Sequence, residues 1–195
     1  MASSGERIRR LLDELYADFD RELAERRDAL RYRIDRGRVR FEAEVLARHR
    51  AARISLGAFL RQTRPMVVLT APFIYMLILP FAFLDLCVAL YQAVCFPVYG
   101  IARVRRRDYI AIDRQHLAYL NALQKLNCVY CGYCNGVIAL VREVAARTEK
   151  YWCPIKHARA VKDLHPHHAD FFDYGDAEGY AGGADRLRDT LRPPG

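Results

Sequence analysis

Four of the six cysteines in this 195-residue chain fall between residues 126 and 157. Three of them follow one another at intervals of three residues, and the fourth begins the sequence Cys-Pro-Ile-Lys-His. Thiolate and imidazole groups at such spacings can converge on one metal ion or cluster. The sequence therefore predicts a metal site built from Cys128, Cys131, Cys134, Cys153 and His157.

Three kinds of chemistry fit this spacing. The pattern Cys131-x2-Cys134-x18-Cys153-x3-His157 is close to that of structural zinc sites, so zinc is the favoured cofactor. An iron–sulfur cluster is the second option, because bacterial ferredoxins also combine C-x-x-C repeats with a Cys-Pro ligand, although their Cys-Pro follows after three residues. Thiol–disulfide exchange through one C-x-x-C pair, without a metal, is the third option.

A second group of potential ligands lies in the sequence HPHHADFFDYGD. Imidazole and carboxylate groups together suit iron, manganese or zinc. The alternative is a polar loop whose aromatic side chains dock on neighbouring helices, and this alternative is preferred. The ligands of the possible second site are His165, His167, His168 and Asp170.

The spacing of apolar residues predicts helices over residues 109–126 and 137–151. Between them, Gly132, Asn135 and Gly136 predict a tight loop over Cys128–Gly136 whose backbone could fold around a metal ion. The chain must then fold back to bring Cys153 to that loop. The polar run over residues 147–150 is interpreted as a solvated helix end, and the Gly-rich, charged residues 175–195 as a mobile tail.

Residues 66–102 contain one charged side chain, Asp85. The run is too long for one membrane span of about 20 residues and long enough for two short ones. Arginines flank both ends, so the positive-inside rule predicts a membrane hairpin over residues 65–102 with Asp85 near its far tip. The run also contains three prolines, Pro72, Pro80 and Pro97, which bend helices. A shallow hairpin that enters one leaflet is therefore an alternative to a full crossing. The predicted location is a bacterial-type inner membrane, with both terminal regions in the cytoplasm.

Residues 1–64 carry apolar side chains in an 11-residue rhythm, beginning with Ile8, Leu12, Leu15 and Phe19. This period predicts a long, nearly straight amphipathic helix, with Gly37 as a potential joint. One chain cannot bury such a stripe fully. We therefore expect residues 8–60 to pack back on the C-terminal region, to pair with another copy or with a helical partner protein, or to lie on lipid.

The net charge of +8 comes from 31 basic and 23 acidic residues. Such a surplus suits nucleic acid or anionic lipid, and the apolar run favours lipid, so nucleic-acid binding is not expected. The N-terminus lacks the apolar core of a cleavable signal, which favours a reducing compartment for the cysteines. No hydrolase, kinase or dehydrogenase motif is present. The sequence does not decide whether the protein is an enzyme, and it favours a protein that is not one.

The segments KLNCVYCGYCNG, AARTEKYWCPIKHA and FFDYGD resemble a family of uncharacterised bacterial membrane-associated proteins over about residues 105–178. The resemblance implies that Cys128, Cys131, Cys153 and His157 form one recurring motif, and it implies no activity. The sequence thus predicts an all-α protein in which a helical Cys/His domain, residues 103–174, follows the membrane segment. Its leading function is membrane-anchored metal binding with a structural or redox role. The alternative is a membrane scaffold that acts through its N-terminal helix, with the cysteines only stabilising the small domain.

Overall fold

The computed structural model describes residues 4–35 and 38–193. The chain is mostly helical, with 69% helix and 5% strand, in agreement with the predicted all-α class. The elements in chain order are α1 (Ser4–Ala29), β1 (Tyr32–Asp35), β2 (Arg38–Phe41), α2 (Ala43–Ala51), α3 (Leu56–Gln62), α4 (Pro65–Met76), α5 (Ile78–Tyr99), α6 (Ala122–Trp152) and α7 (Ala177–Asp189). Short 3₁₀ turns occupy Arg106–Asp108, Arg114–His116 and Pro166–Asp170.

The N-terminal region does not form the single long helix that we predicted. α1 ends at Ala29, and an antiparallel β-hairpin follows in which Tyr32 pairs with Phe41 and Ile34 with Val39. These four residues are aromatic or β-branched and alternate with charged ones, a pattern that favours strands over a helix. The potential joint at Gly37 lies outside the described residues.

The apolar run forms α4 and α5, separated only by Leu77. Pro80 falls in the first turn of α5, where a helix does not need the missing N–H group. The chain does not turn at Asp85, so the predicted position of that residue at a hairpin tip is wrong. Asp85 instead lies inside α5, is buried, and forms an ion pair with Arg106 that neutralises its charge.

The described chain divides into two compact units. The first combines Met1–Glu14, Phe83–Tyr109 and Ile138–Gly195, and its core includes Phe96, Val144 and Phe171. The tail that we expected to be mobile forms α7 within this unit, because the Asp176 side chain caps the helix by accepting a hydrogen bond from Gly179 N at 2.9 Å.

The second unit combines Leu15–Ala82 and Ile110–Val137. Here α6 begins at Ala122 and runs on without a break, so both the helix predicted over residues 109–126 and the loop predicted over Cys128–Gly136 are wrong. Asn121 and Gln124 form a reciprocal capping box, with both backbone-to-side-chain distances at 3.0 Å. Asn135 and Gly132 are compatible with the helix, since Asn135 Nδ2 donates to the Cys131 carbonyl at 2.9 Å and Gly132 faces a closely packed backbone.

Candidate metal centre

Cys128, Cys131 and Cys134 all lie in the first half of α6. Each step of three residues rotates the side chain by about 60° and advances it by about 4.5 Å along the axis. Neighbouring thiols can approach each other, but the first and third point away from one another. Cys153 follows the last residue of this helix, which at 31 residues is about 46 Å long. The predicted cysteine set is therefore distributed along a helix.

The three helical thiols also differ in exposure: Cys131 is exposed, Cys128 is half-buried and Cys134 is buried. Burial raises the pKa of the Cys134 thiol, although a hydrogen bond with the Tyr130 hydroxyl acts in the opposite direction. The Tyr130 hydroxyl lies 2.8 Å from the Ile74 carbonyl as well, and its single proton serves one of these two acceptors at a time. Cys134 thus behaves mainly as an apolar packing residue in this conformation.

A histidine-bearing loop, residues 156–171, follows Cys153. Its two ends are tied together, because Phe172 N donates to the Pro154 carbonyl at 2.9 Å and Lys156 N donates to the Phe172 carbonyl at 2.8 Å. Midway along the loop, Arg142 of α6 donates to the Asp163 carbonyl at 2.7 Å. These bonds hold the loop against the second half of α6.

Two histidines of this loop meet carboxylates of α6. His165 Nε2 lies 2.8 Å from Glu149 Oε2, and His167 Nε2 lies 3.1 Å from Glu143 Oε1. Burial alone would raise the pKa of Glu143, but hydrogen bonds from His167 and Arg147, together with their charges, outweigh it and lower that pKa. The two carboxylates therefore act as acceptors that fix the orientation of the imidazole rings.

Four imidazole rings form one cluster. The ring centroids of His165 and His167 are 6.0 Å apart, those of His165 and His168 are 6.1 Å apart, and His157 stacks on His168 at 5.9 Å. Among the described residues, His165 Nδ1 and His168 Nε2 are buried and have no hydrogen-bond partner. Burial, followed by the charges of His165 and His157, lowers the pKa of His168, which favours the neutral form of this ring. A metal ion binds to the lone pair of an unprotonated imidazole nitrogen.

The structure changes the membership of the predicted sites. His157, assigned from its spacing to the cysteine set, lies in the histidine cluster beside His165, His167 and His168. Asp170, assigned to the second site, is instead held by Lys150 in a 3.0 Å ion pair whose side chains are 7% and 9% exposed. The polar run over residues 147–150 is accordingly not a solvated helix end.

Glu143, Glu149 and Lys150 were missed as part of the candidate site. In sequence they resemble ordinary charged positions on a helix, and no spacing rule links them to histidines about 20 residues further on. The one sequence feature that links the two segments is their high density of ionisable groups. Such a density can be buried at low cost only if groups of opposite charge in the two segments pair with each other.

The histidines do not form a finished coordination sphere. Within the described residues, no three histidine, cysteine or carboxylate groups are arranged so that they could hold a metal ion. Two imidazole rings bound to one tetrahedral ion have centroids roughly 5 Å apart, given a metal–nitrogen distance of about 2.1 Å. The observed separations of 5.9–6.1 Å are about 1 Å longer than this.

No family model, curated protein or solved structure matches this chain.

A separate cavity of about 440 Å³ lies in the second unit, between the β-hairpin and residues 113–119. Its walls are largely apolar and include Tyr32 and Phe41. Two polar atoms on its lining residues, Arg27 Nε and His49 Nδ1, are buried without a hydrogen-bond partner in the part of the chain that the structure describes. The cavity has the size of a small-molecule site.

Proposed function

We propose that this protein is a membrane-anchored metal-binding protein whose ion is held by histidines of the loop after α6. The observation that carries this proposal is His165, whose Nε2 lies 2.8 Å from Glu149 while its Nδ1 is buried without a partner among the described residues. With the Nε2 proton directed at the carboxylate, the Nδ1 lone pair is free to bind an ion. This carboxylate–histidine arrangement is typical of metal sites.

His165, His168 and His157 are the proposed ligands, and zinc is the proposed ion. Imidazole suits zinc, copper, iron and nickel, and three neutral imidazoles leave one tetrahedral position for water or a further ligand. His167 is the fourth ring of the cluster and is held by its hydrogen bond to Glu143, but it has no buried nitrogen without a partner among the described residues. The predicted site of Cys128, Cys131, Cys134, Cys153 and His157 stays a competing prediction, and of its thiols Cys131 and Cys134 are neighbours on α6.

Membrane attachment is the second part of the proposal. The stretch Pro65–Tyr99 is the one helical segment, among the described residues, that is long and apolar enough to cross a membrane by length and composition. Only 6% of its most apolar window is buried. A core helix of a soluble protein would be mostly covered, so lipid is the solvent that best fits this surface.

The metal proposal is tested on detergent-purified protein by zinc analysis and by cobalt substitution. We expect about one zinc per chain, and a cobalt spectrum without a thiolate charge-transfer band. His165→Ala should lower zinc affinity by at least 100-fold, and Glu149→Gln, which removes only the supporting carboxylate, by about 10–100-fold. His116→Ala is the matched control, because His116 is exposed and lies outside the cluster.

The outcomes separate the two ligand sets. Loss of zinc in a Cys131→Ser, Cys134→Ser variant, with zinc retained in His165→Ala, would move the site to the thiols. Protein without any bound metal, and without affinity for added zinc or cobalt, would contradict metal binding altogether.

A second candidate function, a membrane scaffold acting through α1, is favoured by exposed apolar side chains on that helix. Leu11 and Leu15 are each 65% exposed and Phe19 is 56% exposed. These positions form part of the predicted stripe, and a second copy of the chain could cover them. A Leu15→Glu, Phe19→Glu variant should then lower the oligomeric mass measured in detergent by light scattering, whereas an unchanged mass would contradict the scaffold.

A further inference from the structure

The last 17 residues of α5 have two chemically different faces. The outward face carries Phe83, Leu90, Val94 and Val98, whose exposed fractions lie between 58% and 78%. The inward face carries Asp85, Gln92 and Phe96, all buried. A helix surrounded by hydrocarbon on every side would not place a carboxylate and an amide on one face without covering them.

A returning segment covers that inward face. The chain reverses at Gly100, which has a φ of +69°, and residues 101–106 then run back beside α5. Ile101 N donates to the Phe96 carbonyl at 2.8 Å, and Val104 N donates to Gln92 Oε1 at 2.8 Å. Further along, Arg106 forms its ion pair with Asp85. We call residues 101–107 the strap.

The strap buries its apolar residues and exposes its arginines. Ile101 is 3% exposed and Val104 is 8% exposed, while the arginines that alternate with them face solvent. The exposed arginines of the strap are Arg103, Arg105, Arg106 and Arg107. These arginines are thus fixed beside the inward face of α5, opposite its apolar outward face, and one of them, Arg106, is paired with Asp85.

We propose that this unit lies in the plane of an anionic membrane surface, with the outward face of α5 in the acyl region and the strap arginines among the headgroups. The proposal rests on the membrane attachment proposed above and specifies its mode. If α5 crossed the bilayer, the strap beside residues 85–92 would be carried into the hydrocarbon centre, where arginine is strongly disfavoured. In the interfacial orientation the same arginines contact anionic lipid and the apolar face remains buried.

Charge complementarity is tested with vesicles of neutral lipid and vesicles that contain anionic lipid. Arg105→Gln, Arg107→Gln should weaken partitioning onto anionic vesicles about 25-fold, given roughly fivefold for each arginine near the surface, and change binding to neutral vesicles little. The control is Arg10→Gln, Arg186→Gln, which removes the same charge from exposed positions of the same unit. Equal effects of both variants would mean that net charge alone matters and would overturn the role of the strap.

Orientation is tested by the depth of tryptophan probes. Trp152 is the single tryptophan, so Phe83→Trp, Leu90→Trp and Val98→Trp are each made in a Trp152→Phe background. Quenching by lipids brominated at different depths should place all three probes at one shallow depth. A crossing helix would separate the first and last by up to about 22 Å. That gradient would overturn the in-plane orientation while leaving membrane attachment intact, whereas a parent protein that binds neither type of vesicle would contradict attachment itself.

Discussion

Helix α6 carries potential metal ligands in both of its halves, and the two halves treat them differently. In the first half, Cys128, Cys131 and Cys134 follow the helix surface and diverge, and no second segment within residues 4–35 and 38–193 joins them in a metal-binding group. In the second half, Glu143 and Glu149 are met by histidines from a loop whose ends are tied to each other. Close spacing in sequence therefore does not bring ligands together when the residues lie on one helix. A loop that returns to the helix does bring ligands together.

The largest expected effect concerns the ion pair that holds the loop on the second half. Lys150 and Asp170 are almost fully buried at 3.0 Å, so Lys150→Ala removes one partner of a buried pair and should lower the free energy of unfolding by about 3 kcal/mol. The measurement is urea denaturation followed by circular dichroism. The same variant should weaken zinc binding, since the loop would lose its position on α6.

Lys156→Ala is the control, because Lys156 also pairs with an aspartate of the C-terminal region. Its partner Asp173 is 78% exposed, and an exposed pair contributes at most about 1 kcal/mol. If the two lysine variants were equally stable, the buried ion pair would not be what holds the histidine loop.

The first half of α6 depends on a close backbone approach instead of an ion pair. Gly-to-Ala changes inside helices normally stabilise by up to about 1 kcal/mol. At Gly132, however, an added Cβ would lie 2.9 Å from the Ala111 carbonyl oxygen, which has little freedom to move. Gly132→Ala should therefore lower the free energy of unfolding by about 1 kcal/mol despite the gain in helix propensity.

Gly182→Ala, in α7, provides the comparison because a Cβ there meets nothing within 4 Å. It should raise the free energy of unfolding by about 0.5–1 kcal/mol. Two glycine changes of the same sign would show that the approach of the Ala111 backbone has no energetic consequence.

The sequence predicted the helical class but not where the helices begin and end. Glycine and asparagine within residues 128–136 suggested a loop, yet Gly132 serves a close approach and Asn135 bonds back to the preceding turn. Both roles depend on residues distant in sequence or on the helix already being formed. The start of α6 can be predicted from the sequence, because Asn121-Ala-Leu-Gln124 is a capping-box pattern. The apolar spacing before Asn121 instead suggested a helix that begins earlier.

The capping box of Asn121 and Gln124 contributes to the stability of α6. Asn121 Oδ1 accepts a hydrogen bond from Gln124 N at 3.0 Å, so Asn121→Ala should lower the free energy of unfolding by about 1 kcal/mol. Gln124→Ala removes only the reciprocal bond to Asn121 N and should cost about half as much. Asn121→Ser, which keeps a neutral capping oxygen at this buried site, should be less destabilising than Asn121→Ala. An Asn121→Ser variant as unstable as Asn121→Ala would argue that packing, and not capping, sets the start of the thiol-bearing half.

The candidate site was predictable in its ligand types and not in its membership. The pattern HPHH left a metal site open beside the preferred polar loop, and the structure brings its three histidines together with His157. Spacing alone placed His157 with the cysteines, because the length of α6 was unknown. It also counted Asp170 as a ligand, because its burial beside Lys150 depends on how the loop folds back.

The smallest effect is a difference in reactivity within the thiol-bearing half, and it tests the comparison most directly. Cys131 is exposed, whereas Cys134 is 5% exposed and its pKa is raised by burial. Because the thiolate is the reactive form, iodoacetamide at pH 8 should alkylate Cys131 at least about tenfold faster than Cys134, as measured by mass spectrometry of digested protein. Raising the pH should reduce the ratio of the Cys131 and Cys134 alkylation rates without bringing it to one, since burial also blocks access of the reagent to Cys134.

Alkylation in the presence of added zinc tests whether the thiols of α6 bind the ion. If the histidine loop holds the ion, one equivalent of zinc should leave the alkylation of Cys131 unchanged in the parent protein. In His165→Ala, zinc should likewise give no protection, because a helical pair supplies only two sulfur ligands. Protection of Cys131 and Cys134 together, in either protein, would instead mean that α6 unwinds locally to wrap an ion. The contrast between its two halves would then be a property of the metal-free state alone.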